Sequence, residues 1–181
     1  KNTMTIGNVD IEQLEYEYDG NGELVTFTGN KVLLPCVGNT SWGNKDITNG
    51  GAYRQFAMKN VIDKYVTVKN TGDNDVYVRT IIAFEMGDTH TVDSFDDICI
   101  STNSCDGTEF SFPGTWEWEY DYVARINGHR YWVISAVHLN PVAPGKETIP
   151  SLLQVYLSRD AEQADIKKID SDNDGVYTVY A

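Results

Sequence analysis

Three histidines, three cysteines and five prolines are scattered over 181 residues. No apolar run approaches the roughly 20 residues that a helix needs to cross a bilayer. Few prolines and no Pro/Ser-rich stretch leave no sign of a linker, and no internal repeat divides the chain. A single domain over 1–181 is expected, with enough chain to bury a sizeable core.

The shortage of histidine restricts metal chemistry. A catalytic zinc takes three protein ligands, usually including two histidines. The candidates are His90, His129 and His138, and H-E-x-x-H is missing. His129 and His138 flank an expected strand. Their odd separation puts them on opposite faces, and nine steps place them roughly 30 Å apart. Along an unbroken strand they cannot share an ion. No G-x-S-x-G motif is present, and Cys36 follows Pro35 with no identifiable histidine partner. Glu117 and Glu119 share a strand face at a reach of about 6.6 Å, which a glycosidase pair could use. A solvated face is the simpler reading.

Basic residues are also few. Lys and Arg number 14 against 27 acidic residues, a formal net charge of -13. Such a surface repels nucleic-acid phosphates and anionic membranes. No nucleic-acid partner and no membrane insertion are expected, and solubility accounts for the charge more simply than an acidic function does. The chain begins at Lys1, so a processed product is expected. Its Tyr, Asn, Thr and Gly content suits an exported protein. Cys99 and Cys105 flank a polar loop that a disulfide could close, adding about 2–4 kcal/mol. Cys36 would then be left over; three free thiols are the alternative.

What is present is β-pattern. In Tyr65–Glu85 (YVTVKNTGDNDVYVRTIIAFE) Val66 and Val68 alternate with Thr67 and Lys69. After the turn residues Asn70 to Asp75, Val76, Val78, Thr80, Ile82 and Phe84 share one face. A repeat of two is a strand signature. Trp116, Trp118, Tyr120, Tyr122, Ala124 and Ile126 alternate likewise. Asn127-Gly128 is the favoured pair for a two-residue hairpin turn. Tyr131, Val133, Ser135 and Val137 return on the aromatic face. That aromatic row is either core or a sugar-stacking platform, and the matching return strand favours core.

Elsewhere, Met4–Ile11 reads as a strand interrupted at Gly7, with a bulge reconciling Met4 and Ile6 with Val9 and Ile11. Glu12–Tyr18 is extended, Asp19–Gly22 turns, and a strand resumes at Leu24–Phe27. Gly38–Gly51 is a long loop, and Tyr53–Val61 is a helical turn or an irregular strand. Thr89–Glu109 is an exposed acidic excursion with a helical turn at Ser94–Ile98. Asn140–Gly145 is a proline-locked connection and Leu152–Leu157 a strand. Ser158 or Asp160 caps a short helix over Ala161–Ile166, and Val176–Tyr180 is the last strand. The sum is roughly eight to ten strands with few helices: all-β, a sandwich with jelly-roll or Greek-key connections.

Asp170-Ser171-Asp172-Asn173-Asp174-Gly175 opens like an EF-hand loop, but its twelfth position is Ala181. A polar turn fits better, with Asp170, Asp172 and Asp174 as weak Ca²⁺ candidates. No cofactor is otherwise implied.

NVDIEQLEYEYD, YVTVKNTGDNDVYVRTIIAFE and INGHRYWVISAVHLNPVAPGKETIPSLLQVYL resemble the TasA/camelysin family, secreted Gram-positive proteins made with SipW-type signal peptides. The stretch Cys36–Asn60, the three cysteines and Thr89–Glu109 depart from the family pattern. The resemblance implies a jelly roll, secretion, and self-assembly head to tail into biofilm matrix fibres. Other matrix proteins or polysaccharide are further partners it suggests. In that assembly an N-terminal segment completes a neighbour's sheet, which assigns strand exchange here to Met4, Ile6, Val9 and Ile11. Family members carry an aromatic segment before this stretch. The expectation is therefore a trimmed donor, a monomer with an apolar groove open, and a trimmed tail after Ala181. The resemblance also carries a second activity, a secreted metalloprotease, to which the sequence lends little support. A glycan-binding adhesion module on Trp116 and Trp118 is the third reading.

Overall fold

The computed structural model describes residues 7–37, 59–90, 98–102 and 116–181; for 98–102, 120 and 121 it describes the backbone alone. Ten strands and one helix lie among them: β1 (Ile11–Tyr18), β2 (Leu24–Thr26), β3 (Ile62–Asp63), β4 (Tyr65–Asn70), β5 (Arg79–Glu85), β6 (Ile98–Thr102), β7 (Trp116–Ile126), β8 (His129–His138), β9 (Leu152–Leu157), α1 (Gln163–Ile169) and β10 (Val179–Tyr180). The protein is all-β, and every ladder between these strands is antiparallel.

One layer has the order β10-β5-β8-β7. The other combines β2-β1-β4 with β3-β9-β6. These two groups are continuous through the segment leading into β9. Asn70 N–H donates to Lys146 O, Thr148 N–H to Val68 O, Ser151 N–H to Val66 O and Lys64 N–H to Leu153 O. The layers pack through alternate residues. Val66 from one meets Ile82, Phe84 and Ile134 from the other, joined by Leu152, Val155, Leu157 and Ile169. A second cluster gathers Val68, Val76, Val78, Trp116, Ala136 and Val142. Trp116 donates its indole N–H to Ile149 O at 3.0 Å, so its one polar atom is satisfied inside the core. β9 is buried on both faces, which is why LLQVYL is a continuous apolar run.

The turn after β4 joins two strands that do not pair: β4 ladders with β1, and β5 with β8. Asn70 carries this crossing between layers. Its fully buried amide donates to Asn74 O at 2.8 Å and Val142 O at 2.7 Å, and its oxygen accepts from Gly72 N–H at 2.9 Å. The expected hairpin forms at Asn127-Gly128, both with positive φ (52° and 91°), as a type I′ turn requires.

The aromatic row does not share one face. The register of β7 on β8 shifts between Trp118 and Tyr120. Trp116 and Trp118 therefore point into the core, whereas Tyr122 lies on the outer face with Ala124 and Ile126. Tyr131 and Val133 join that outer cluster with Ala83. A bulge resets parity, so a period of two read across it misassigns one half.

Other boundaries move. Gly7 to Asp10 lie outside the ladder, and the arm becomes strand only at Ile11. Ile98–Thr102 is a strand on β9, where an acidic excursion with a helical turn was expected. The β-branched Ile98 and Ile100 suit it, and the nearby Asp residues obscured it. The helix begins at Gln163, later than Ser158 or Asp160 would start it. Asp165 at its third position accepts from Glu162 N–H at 3.0 Å and closes the capping box. The last strand shrinks to Val179–Tyr180 because side chains, not a ladder, hold much of the segment before it. The stretches Gly38–Gly51 and Ser94–Asp97, and Tyr53–Met58 of the Tyr53–Val61 stretch, lie outside the described residues.

Candidate functional site

An apolar groove of about 540 Å³ lies between the layers. Phe27, Val32 and Leu33 line it from the extended segment after β2, Ile62 and Val155 from β3 and β9, and Val176, Tyr177 and Val179 from the C-terminal segment. The sequence predisposes this place to stay open. The face of β1 that continues the Val66 row carries Gln13 and Glu15, opposite Val68 and Val66, and is polar. Leu14 and Tyr16 fall on the other side, with Thr67 and Tyr65. The opposing layer ends in β10, which pairs at two positions only, Val179 with Phe84 and Tyr180 with Ala83.

Charge is neutralised at the rim. Lys64 forms an ion pair with Glu15 and stands 4.4 Å from the Phe27 ring centroid. Lys31 pairs with Glu17 at 2.6 Å. Burial pushes the Glu17 carboxyl up, but hydrogen bonds from Lys31 and Thr28 outweigh it and hold the group below its ordinary value. Val32 is 73% exposed and Val176 57% exposed, so the groove meets solvent along apolar flanks.

Of the strand-exchange residues, Met4 and Ile6 lie outside the described residues. Val9 and Ile11 are exposed (68% and 50%) and bury little against their own sheet. The arm is tied to the β4–β5 crossing by its backbone: Thr71 and Gly72 N–H donate to Asp10 O, and Asn74 donates to Asn8 O.

The three aspartates of the EF-hand-like loop separate. Oxygens of Asp170 and Asp172 come within 4.8 Å of one another and of buried Glu85; Asp174 is not in that group. Oxygen ligands of a divalent cation can have such a spacing. Here the carboxylates accept from nearby backbone: Asp170 from Asp174 and Gly175, Asp172 from Asp174, and Asp174 from Val176. Glu85 accepts from Ser171 N–H at 2.9 Å, Ser171 O–H at 2.7 Å and Thr178 N–H at 2.9 Å. Sequence reasoning missed Glu85. The signal for it was a carboxylate at the end of an apolar strand, on a face that proves covered.

β8 runs unbroken between His129 and His138, at its two ends. His129 Nδ1 lies 3.7 Å from Asp172, and His138 packs edge-on against Trp116 with Nδ1 2.7 Å from Asn140 O. His90 is buried elsewhere. Among the described residues, the one group of three His, Cys, Asp or Glu close enough to hold a metal contains no histidine. Glu117 and Glu119 are exposed, and Glu119 pairs with Arg79 at 2.9 Å. Cys36 is a buried free thiol whose pKa burial pushes up. Cys105 and the side chain of Cys99 lie outside the described residues.

No protein-family model matches the chain, and no curated protein matches it.

Proposed function

We propose that this chain is a secreted structural subunit of extracellular matrix fibres, built as a jelly roll and assembling head to tail by β-strand donation. The observation that carries the reading is the open apolar groove beside a two-residue edge strand. An incoming strand gains backbone hydrogen bonds along a sheet edge, and its alternate side chains fill pockets. The donor in this account is the N-terminal arm of a neighbouring copy, with Met4 and Ile6 as its apolar side chains. The exposure of Val9 and Ile11 fits an arm whose apolar residues are not spent on its own sheet. A contact between two different surfaces repeats without closing, which makes a filament. Secretion and the matrix setting follow from the resemblance to the TasA/camelysin family.

Electron microscopy of the purified protein with its complete N-terminal segment tests this. Filaments are expected at high concentration, and persistent monomers would count against strand donation. The ends of β8 keep His129 and His138 apart, and burial of Trp116 removes half of the tryptophan platform.

A further inference from the structure

We infer that residues 170–181 form a releasable clasp closing one side of the groove, and that the Glu85 carboxylate is its latch. The inference deepens the fibre reading, since it says what governs access to the acceptor groove.

The clasp has little ladder of its own. Two residue pairs and the Glu85 N–H to Thr178 O bond join it to β5. Its other ties to that strand converge on one residue. Glu85 accepts from both the N–H and the hydroxyl of Ser171 through one carboxylate oxygen, and from Thr178 N–H through the other. Tyr177 donates its hydroxyl to Glu85 O at 2.7 Å. Hydrogen bonds to an ionised acceptor are about twice as strong as neutral ones. Glu85 is almost wholly buried, so its acceptance of three donors replaces the water it has lost. Beyond this latch Tyr177, Val179 and Ala181 pack against the core cluster and Asp172 lies 3.7 Å from His129. Tyr180 packs on Tyr131 with ring centroids 5.4 Å apart, and Gln13 of the opposite layer donates to Ala181 O at 2.8 Å. Val176, Tyr177 and Val179 belong at once to the clasp and to the groove lining. Freeing the latch therefore removes one wall of the groove and widens it, while β4, β8 and β9 keep their own ladders. A chain end held by a two-pair ladder and one side-chain latch can open locally, below the cost of global unfolding.

Glu85→Gln is the test. Glutamine keeps the shape but offers one acceptor oxygen and turns an NH₂ toward a donor that the carboxylate had accepted. Amide exchange at residues 171–180 is expected to accelerate at least about tenfold, with β4 and β8 unchanged. Fluorescence of anilinonaphthalene sulfonate should rise as the groove opens. Ser171→Ala, which spares the carboxylate, should give a smaller change in the same direction, and it serves if the glutamine variant does not fold. Unchanged exchange in the clasp, a uniform increase across both layers, or a faster clasp with no added dye fluorescence would each overturn the inference. Both readouts are made on the monomer, so a failure to form fibres bears on the proposed function alone.

Discussion

Val32→Asp separates folding from assembly. Val32 is 73% exposed and lines the groove from the segment after β2. The folded monomer therefore loses only about a quarter of a valine's burial, about 0.5 kcal/mol. For a domain of this size that is a melting shift of about 1–2 °C. A donor strand laid in the groove would instead cover the new carboxylate with apolar side chains. Removing a charge from water without a partner costs several kcal/mol. At about 1.4 kcal/mol per factor of ten, the concentration needed for assembly should rise at least about 100-fold. Circular dichroism melts report the monomer, and sedimentation of a dilution series reports the assembly threshold. Tyr77→Asp is the control: Tyr77 is exposed and does not line the groove. It should alter neither measurement. An unchanged threshold in Val32→Asp, with the native melt retained, would refute the reasoning that this groove receives a strand.

Other substitutions probe the scaffold. Asn70→Ala removes the amide donor to Asn74 O and one of the two partners of both Val142 O and Gly72 N–H, which keep Val76 N–H and Asp10 O, and should cost about 1–3 kcal/mol in urea unfolding without changing the slope. Gly87→Ala drives a methyl group into the Lys168 carbonyl at the end of α1. It should destabilise by about 1–3 kcal/mol and speed amide exchange in α1 before β4. The Glu17 carboxyl sits below its unfolded value, so its contribution is present above about pH 4.3 and lost as pH falls through the folded value. Lys31→Met should remove at most about 1 kcal/mol at pH 7, since the ammonium is partly exposed. The difference from the parent chain should vanish near pH 2 in urea melts.

Much of the scaffold is legible in residue order because local rules decide it. Strict alternation locates β5, Asn127-Gly128 locates the hairpin, and an unbroken apolar run locates β9. What escapes is decided across the molecule. The bulge between Trp118 and Tyr120 leaves no mark in a two-residue repeat, yet it moves Tyr122 to the outer face. Asn70 to Asp75 has hairpin chemistry, but burial of Asn70 on Val142 turns it into a crossing between layers. The groove is the least legible part. Phe27, Val155 and Val179 are far apart in the chain, and only the packing of three segments makes them neighbours. Glu85 is similar: its donors lie 86 and 93 residues away. The apolar residues of the arm are visible in the sequence, while the groove is not.

The most direct measurement places a photo-crosslinking amino acid at position 6 and mixes isotopically distinct copies under assembly conditions. Mass spectrometry then locates the linked residues. Strand donation predicts links from one copy's arm to Val32, Ile62 or Val176 of another. Links confined to a single chain, or scattered over the outer face around Tyr122, would contradict it.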